Sequence, residues 1–141
     1  MKRVTGIRKI KRKPNVANKF GNVKLTYKGT KFNSKLEVFM YKQLELLKTP
    51  FKYEGKSYEV FPGFTYNGEK VRPITYKPDF RLENYPVIIE TKGLLNESFP
   101  LRFKLFKKSL IDADDVCDLF LPRNQKQCLE VIKIIKAKYN L

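Results

Sequence analysis

Leu36, Phe39, Met40, Leu44 and Leu47 recur at the three- and four-residue spacing of an amphipathic helix. Ser34 opens that helix, Glu37 is placed to complete an S-x-x-E capping box, and Thr49-Pro50 closes it. From Phe51 to Phe64 the pattern turns extended and aromatic, with a turn at Gly55. Asn67-Gly68 is a hairpin signal, Val71–Leu82 reads as the next strand, and Asn84–Pro86 makes a second turn. Val87–Lys92 follows as a third strand, its Val87-Ile88-Ile89 run signalling burial. Gly93 ends it. A helix is predicted near Pro100, with Leu101, Leu105 and Ile111 on its inner side, Phe103 and Phe106 beside them, and Arg102, Lys104, Lys107 and Lys108 over the rest. Val116–Leu121 reads as a short buried strand. Asn124 and Gln127 then cap a last helix carrying Leu129, Ile132 and Ile135 inward and Lys133, Lys136 and Lys138 near its C-terminal end.

The predicted order is helix, three strands, helix, strand, helix. This is an α/β arrangement with a mixed sheet: the first strands form an antiparallel meander, and Val116–Leu121 returns parallel to an inner strand across the helix near residues 99–111. Residues 1–30 are basic and poor in large apolar side chains, so they read as a partly flexible arm with a short extended piece at Val23–Lys28. Residues 31–141 form the folded domain.

Charge sharpens this division. Of the 30 Lys and Arg, twelve lie in residues 1–36 with no acid among them, although the chain holds 14 Asp and Glu and a net charge of +16. A polyanion-binding arm on a nearly balanced domain is the implication, with Arg8, Lys9, Lys11, Arg12, Lys13 and Lys35 on the arm side and Lys104, Lys107 and Lys108 assisting. The alternative is a solvated or generic RNA-binding tail. No apolar run is long enough to span a membrane, and no signal-peptide core is present, so a soluble, cytoplasmic protein with no membrane partner is expected. Cys117 and Cys128 lack zinc-ligand spacing and read as reduced thiols. The chain contains no histidine, which excludes histidine-based nucleases, histidine-ligated zinc and Ser-His-Asp chemistry. Acid–base work falls to carboxylates, lysine, tyrosine or water on an oxygen-ligated metal.

The candidate chemistry lies in TYKPDF and VIIETKG. A turn centred between Asn84 and Tyr85 sets Asp79 directly opposite Glu90 and leaves Lys92 on the same face, opposite position 77. Directly opposed side chains have Cβ atoms about 4.5–5.5 Å apart, a gap that one cation can bridge through two carboxylates. Such a set suits Mg²⁺, with Mn²⁺ substituting, and Lys92 is available to steady charge on a phosphate. Thr91 is expected to point away while its backbone carbonyl completes the metal shell. The competing reading of the trio is a cross-strand salt-bridge ladder on a solvated face. Glu37 either caps its helix with Ser34 or brings a third carboxylate to a second metal.

The string FNSKLE…KQLE…FKYE…TYKPDF…VIIETKGL resembles the phage endonuclease I family of Holliday-junction resolvases, within the PD-(D/E)XK (restriction-endonuclease-like) superfamily. The likeness covers about Phe32 to Leu95. It implies that Glu37 is the helix carboxylate, Asp79 and Glu90 the metal-binding acids and Lys92 the catalytic lysine. It further implies an intertwined homodimer in which the helix carboxylate joins the site of the other subunit, paired nicking of four-way and other branched DNA, and 5′-phosphate and 3′-hydroxyl ends. The long stretch between Glu37 and Asp79, with its extra hairpin at Asn67-Gly68, departs from that family. A nuclease acting on linear duplex or recombination ends is the alternative enzyme, and a non-catalytic basic nucleic-acid-binding protein is the alternative outside enzymes.

Overall fold

Two short antiparallel strands, β1 (Leu25–Tyr27) and β2 (Thr30–Phe32), open the part of the chain, residues 25–141, that this computed structural model describes. Lys28 and Gly29 both take positive φ at their turn, the geometry that matches the twist of a two-residue hairpin. The hairpin lies on α1 (Lys35–Leu47): Phe32 is fully buried edge-on to Tyr41, and Tyr27 Oη and Lys28 Nζ both donate to Glu45. Residues 25–30, basic enough to read as arm, are therefore packed against the helix. Arg8, Lys9, Lys11, Arg12 and Lys13 lie outside the described residues.

Helix α1 starts as its sequence requires. Ser34 is extended and its hydroxyl accepts the Glu37 N–H, while Met40, Leu44 and Leu47 point into the core. Lys48, with φ of 56°, ends the helix in the left-handed conformation. The chain then runs through β3 (Phe51–Tyr53), β4 (Tyr58–Phe61), β5 (Phe64–Tyr66), β6 (Glu69–Val71), β7 (Ile74–Tyr76), β8 (Phe80–Leu82) and β9 (Val87–Ile89). It finishes with α2 (Phe99–Asp112), β10 (Asp118–Phe120) and α3 (Gln125–Tyr139).

The main sheet has the order β10-β9-β8-β3, with β10 parallel to β9 and the other neighbours antiparallel. The meander and the parallel return across α2 thus form as the pattern predicts. Val71–Leu82, however, is not one strand. Pro73 and Pro78 each lack an N–H for a ladder bond, and they divide the stretch into the end of β6, then β7 and β8. β7 pairs with β4, while β5 and β6 form a separate hairpin whose turn residues Asn67 and Gly68 both have positive φ. Among the described residues this is a mixed α/β fold with three helices and several sheets, and no helix is long and apolar enough to cross a membrane.

Strand alternation distributes the Val87-Ile88-Ile89 run over both faces of the sheet. Val87 and Ile89 join Met40, Leu44 and Phe80 under α1 and α3, whereas Ile88 packs with Tyr58, Tyr76, Phe99, Phe106 and Leu110 under α2. The inner side of α2 differs from the prediction. Leu101 and Ile111 are 60% and 64% exposed, and the buried stripe is Phe99, Phe106 and Leu110, because Phe106 stacks on Tyr76 with ring centres 4.5 Å apart. On α3, Leu129 is likewise 46% exposed, and Cys128 and Val131 join Ile132 and Ile135 in the core. Asn124 caps α3 as expected, accepting the Gln127 N–H. Both cysteines are free thiols.

This packing ranks two substitutions. Phe106→Ala should lower the unfolding free energy by about 3–5 kcal/mol, and Leu101→Ala should change it by less than about 0.5 kcal/mol. Urea denaturation measures both, and equal losses would contradict the burial pattern of α2.

Candidate functional site

Strands β8 and β9 pair Phe80 with Ile89 and Arg81 with Ile88. One step further along this register, Asp79 stands opposite Glu90, as the turn geometry predicts, and the Asp79 N–H donates to Glu90 Oε2 at 3.2 Å. Regular pairing of β9 stops at Ile89, yet the chain stays tethered beyond it: Glu90 N–H donates to Phe120 O and Lys92 N–H to Pro122 O. The Arg123 guanidinium adds bonds to the carbonyls of Lys92 and Gly93. The segment bearing Glu90, Thr91 and Lys92 is thus held on two sides.

Thr91 does not point away. Its N–H and its hydroxyl both donate to Asp79 Oδ2, at 2.8 and 2.6 Å, because strict alternation is lost where β9 ends. Asp79 is thereby fixed by two donors on one oxygen. Among the described residues, Asp79 Oδ1 accepts no hydrogen bond, and Glu90 Oε1 accepts no well-aligned one, although the Tyr76 hydroxyl lies close enough to favour the Glu90 carboxylate.

Glu37 comes to the same place from α1. One carboxylate oxygen accepts from Ser34 Oγ, and the other accepts from the Asn33 N–H and from Tyr53 Oη. The capping box therefore forms, with the backbone bond going to Asn33 and Tyr53 added from β3. A cavity of about 490 Å³ is lined by Ser34, Lys35, Glu37, Asp79, Glu90, Thr91 and Lys92, among others. One chain by itself thus gathers the three predicted acids and the predicted lysine, together with Thr91 and Lys35. Within one chain, Glu37 lines the same cavity as Asp79 and Glu90.

The electrostatics are unusual for so basic a protein. Glu37, Asp79 and Glu90 are only 6%, 7% and 7% exposed. Burial, then the charges of Glu90 and Glu37, push the Asp79 carboxyl well above its usual range, against the opposing effect of the Thr91 bonds. Burial likewise pushes Glu90 up to about 7, although Lys92 and the Asp79 N–H pull it down. Among the described residues Lys92 makes no ion pair with a carboxylate; its ammonium lies over the Phe99 ring, 5.0 Å from the centre. A solvated salt-bridge ladder would show paired, exposed charges, so that reading of the trio does not describe this geometry.

Two residues of the site carried weak sequence signals. Tyr53 lies opposite Phe80, one position from Asp79, so extending the register to a third strand would have found it. Tyr76, 5% exposed at the end of β7, has the one buried side-chain polar atom among the described residues without a hydrogen-bond partner. Aromatic alternation alone marked both as half-buried strand residues. Of the basic side chains on α2, Lys107 lies over Phe103, Lys108 pairs with Asp112, and Lys104 is exposed; none of the three lines the cavity.

Among the described residues, no three Asp, Glu or Cys side chains form a ready-made metal cage. The opposed pair nevertheless fits a hard cation: both donors are oxygens, each keeps one oxygen without a well-aligned protein partner, and burial and the charge of Glu37 destabilise each carboxyl as an anion. Asp79 and Glu90 would hold such an ion, with Glu37 adding negative charge nearby.

The sequence profile of the DUF1064 family, described as a protein of unknown function, matches residues 17–122, and the chain belongs to that family. The matched stretch contains Glu37, Asp79, Glu90 and Lys92. No curated protein and no solved structure matches the chain.

The raised carboxyls set a pH dependence. Both are raised above their unfolded values, so their stabilisation is complete below the ordinary carboxylate range; that of Glu90 is lost as pH rises through about 7, and that of Asp79 is lost as pH rises through its own raised value. Glu90 alone contributes on the order of 3 kcal/mol across that window. Thermal melts in chelator should therefore show a falling melting temperature from pH 5 to 8, and Glu90→Gln should flatten the slope. A melting temperature that rises over this range would contradict the burial of the two acids.

Proposed function

We propose that this chain is a metal-dependent DNA endonuclease with a PD-(D/E)XK-type core, acting on Holliday junctions and other branched DNA by paired nicking. The observation that carries the reading is the convergence of Glu37, Asp79, Glu90 and Lys92 on one cavity, with the two strand carboxyls buried opposite each other and the lysine free of ion pairs. The resemblance of the TYKPDF and ETKGL strings to the phage endonuclease I family, and the helix that supplies Glu37, support it further. The order of the main sheet, with a parallel return strand after an antiparallel hairpin, is compatible with such a core.

Bound between Asp79 and Glu90, Mg²⁺, or Mn²⁺ in its place, would supply a Lewis acid for the scissile phosphate and acidify the water that hydrolyses it. Thr91 holds Asp79 in one orientation through two hydrogen bonds, and the Asp79 N–H holds Glu90. Lys92, uncommitted to any carboxylate, is free to counter the charge that builds on the phosphate oxygens. Hydrolysis would leave 5′-phosphate and 3′-hydroxyl ends. Tyr53 and Ser34 fix Glu37 at the rim of the site.

With Glu37 acting within its own chain, a homodimer would serve to present two sites to two strands and not to complete either one. The excess of Lys and Arg before residue 37 would hold the DNA backbone without selecting sequence.

With Mg²⁺, wild type should cut a four-way junction in preference to linear duplex of matched sequence. Glu90→Gln and Lys92→Ala should retain junction binding while cutting about 10²–10³-fold more slowly. Equal cleavage of both DNAs would remove the junction assignment, and no cleavage of any DNA with Mg²⁺ or Mn²⁺ would remove the enzyme. Mixing Glu37→Ala with Asp79→Ala protein under verified subunit exchange should give no rescue, because neither chain then has a whole site; recovery of activity would mean that Glu37 acts across the dimer.

A further inference from the structure

A second cavity, about 180 Å³, adjoins the first and shares Glu90 and Lys92 with it. Its other walls come from three separate places. Tyr76 and Lys77 stand at the end of β7, Asn96 lies in the loop before α2, and Arg102 projects from the first turns of α2. Three cations thus face a single carboxylate.

The most informative atom is the Tyr76 hydroxyl. It is buried at this cavity beside the Glu90 carboxylate, and burial and that charge raise its proton affinity, yet it makes no well-aligned hydrogen bond there, and leaving such a group poorly paired costs about 1–3 kcal/mol. Stacking on Phe106 gives no reason for the hydroxyl, since phenylalanine would stack equally well. Arg102 is also held in place: its Nη2 donates to Thr75 O at 2.6 Å, and its guanidinium lies 5.9 Å from the Tyr76 ring centre. That single bond leaves most of its five donors available. The N-terminal end of α2 borders the same space, has no acidic residue in its first turn, and so adds the positive end of its dipole. A hydroxyl donor, an anchored guanidinium, two ammonium groups and a helix N-terminus describe a receptor for a tetrahedral oxyanion.

We propose that this cavity binds a phosphate of the DNA strand next to the one being cut. Tyr76 and Arg102 grip it, and Lys92 lies between the two phosphates. The assignment rests on the nuclease reading and extends it: the strand is held on the far side of Glu90, which fixes where the scissile phosphate falls. Glu90 itself disfavours an anion in the absence of a cation, so the two sites fill together.

The test uses the full chain with Ca²⁺ in place of Mg²⁺ and a series of junctions, each carrying one uncharged methylphosphonate near the mapped cut. Neutralising one flanking phosphate should weaken wild-type binding about tenfold, and should weaken Arg102→Gln binding less than about twofold. Tyr76→Phe should show the same muted response with an unchanged or higher melting temperature, which a purely structural tyrosine would not give. If both variants lose as much as wild type at every position, the subsite is wrong. Inorganic phosphate separates this from the nuclease reading. Saturable shifts of the Arg102 side-chain N–H resonance, absent in Tyr76→Phe, would support an anion site even in a chain that cuts nothing. No saturable response, from a protein that does cut DNA, would overturn the subsite and leave the nuclease standing.

Discussion

Two carboxyl groups buried face to face at the end of the β8–β9 hairpin are the constraint around which the rest of this structure is arranged. Buried anions at such spacing repel each other and lose their hydration, so a fold keeps them only if protons, donors or a cation compensate. Here donors compensate in part: Thr91 gives two hydrogen bonds to Asp79, and the Asp79 N–H gives one to Glu90. The remaining imbalance is visible in the raised proton affinity of both groups. A third buried acid, Glu37, adds its charge to that imbalance while completing the cap of its helix through Ser34 and Asn33.

The surrounding elements are explained by what this pair demands. β10 lies parallel to β9 and continues as a tether for Glu90 and Lys92, which keeps the carboxylate segment extended past the last regular pair. α1 packs over the same face and brings Glu37 to the rim, where Tyr53 of β3 donates to it. α2 closes the other face through Phe99 and Phe106, leaving Lys92 above an aromatic ring and without a carboxylate partner. Lys92 still favours the Glu90 carboxylate through its charge, without closing to an ion pair among the described residues.

Much of this was legible in the sequence because strand register is discrete. The Asn84–Pro86 turn admits one pairing that puts Asp79 against Glu90, and a slip by one residue would have sent the side chains to opposite faces. Helix starts at Ser34 and Asn124 were readable for the same reason: a cap is a local chemical event. What was not legible depended on competition between partners distant in sequence. The inner face of α2 is set by rings from β4 and β7, so Phe106 displaced Leu101 and Ile111 from the core. Thr91 turned inward where pairing ends, which alternation does not anticipate. Tyr76 looked like any strand aromatic, since the lack of a partner for its hydroxyl exists only in three dimensions.

The central claim is that a divalent cation takes the place of protons between Asp79 and Glu90. Calorimetric titration of Mn²⁺ at pH 6 in buffers of different ionisation enthalpy tests it most directly, because binding and proton release are measured together. The account predicts saturable binding to wild type with release of at least about one proton per ion, and loss of both in Asp79→Asn. Saturable binding without proton release, or equal binding by Asp79→Asn, would contradict it.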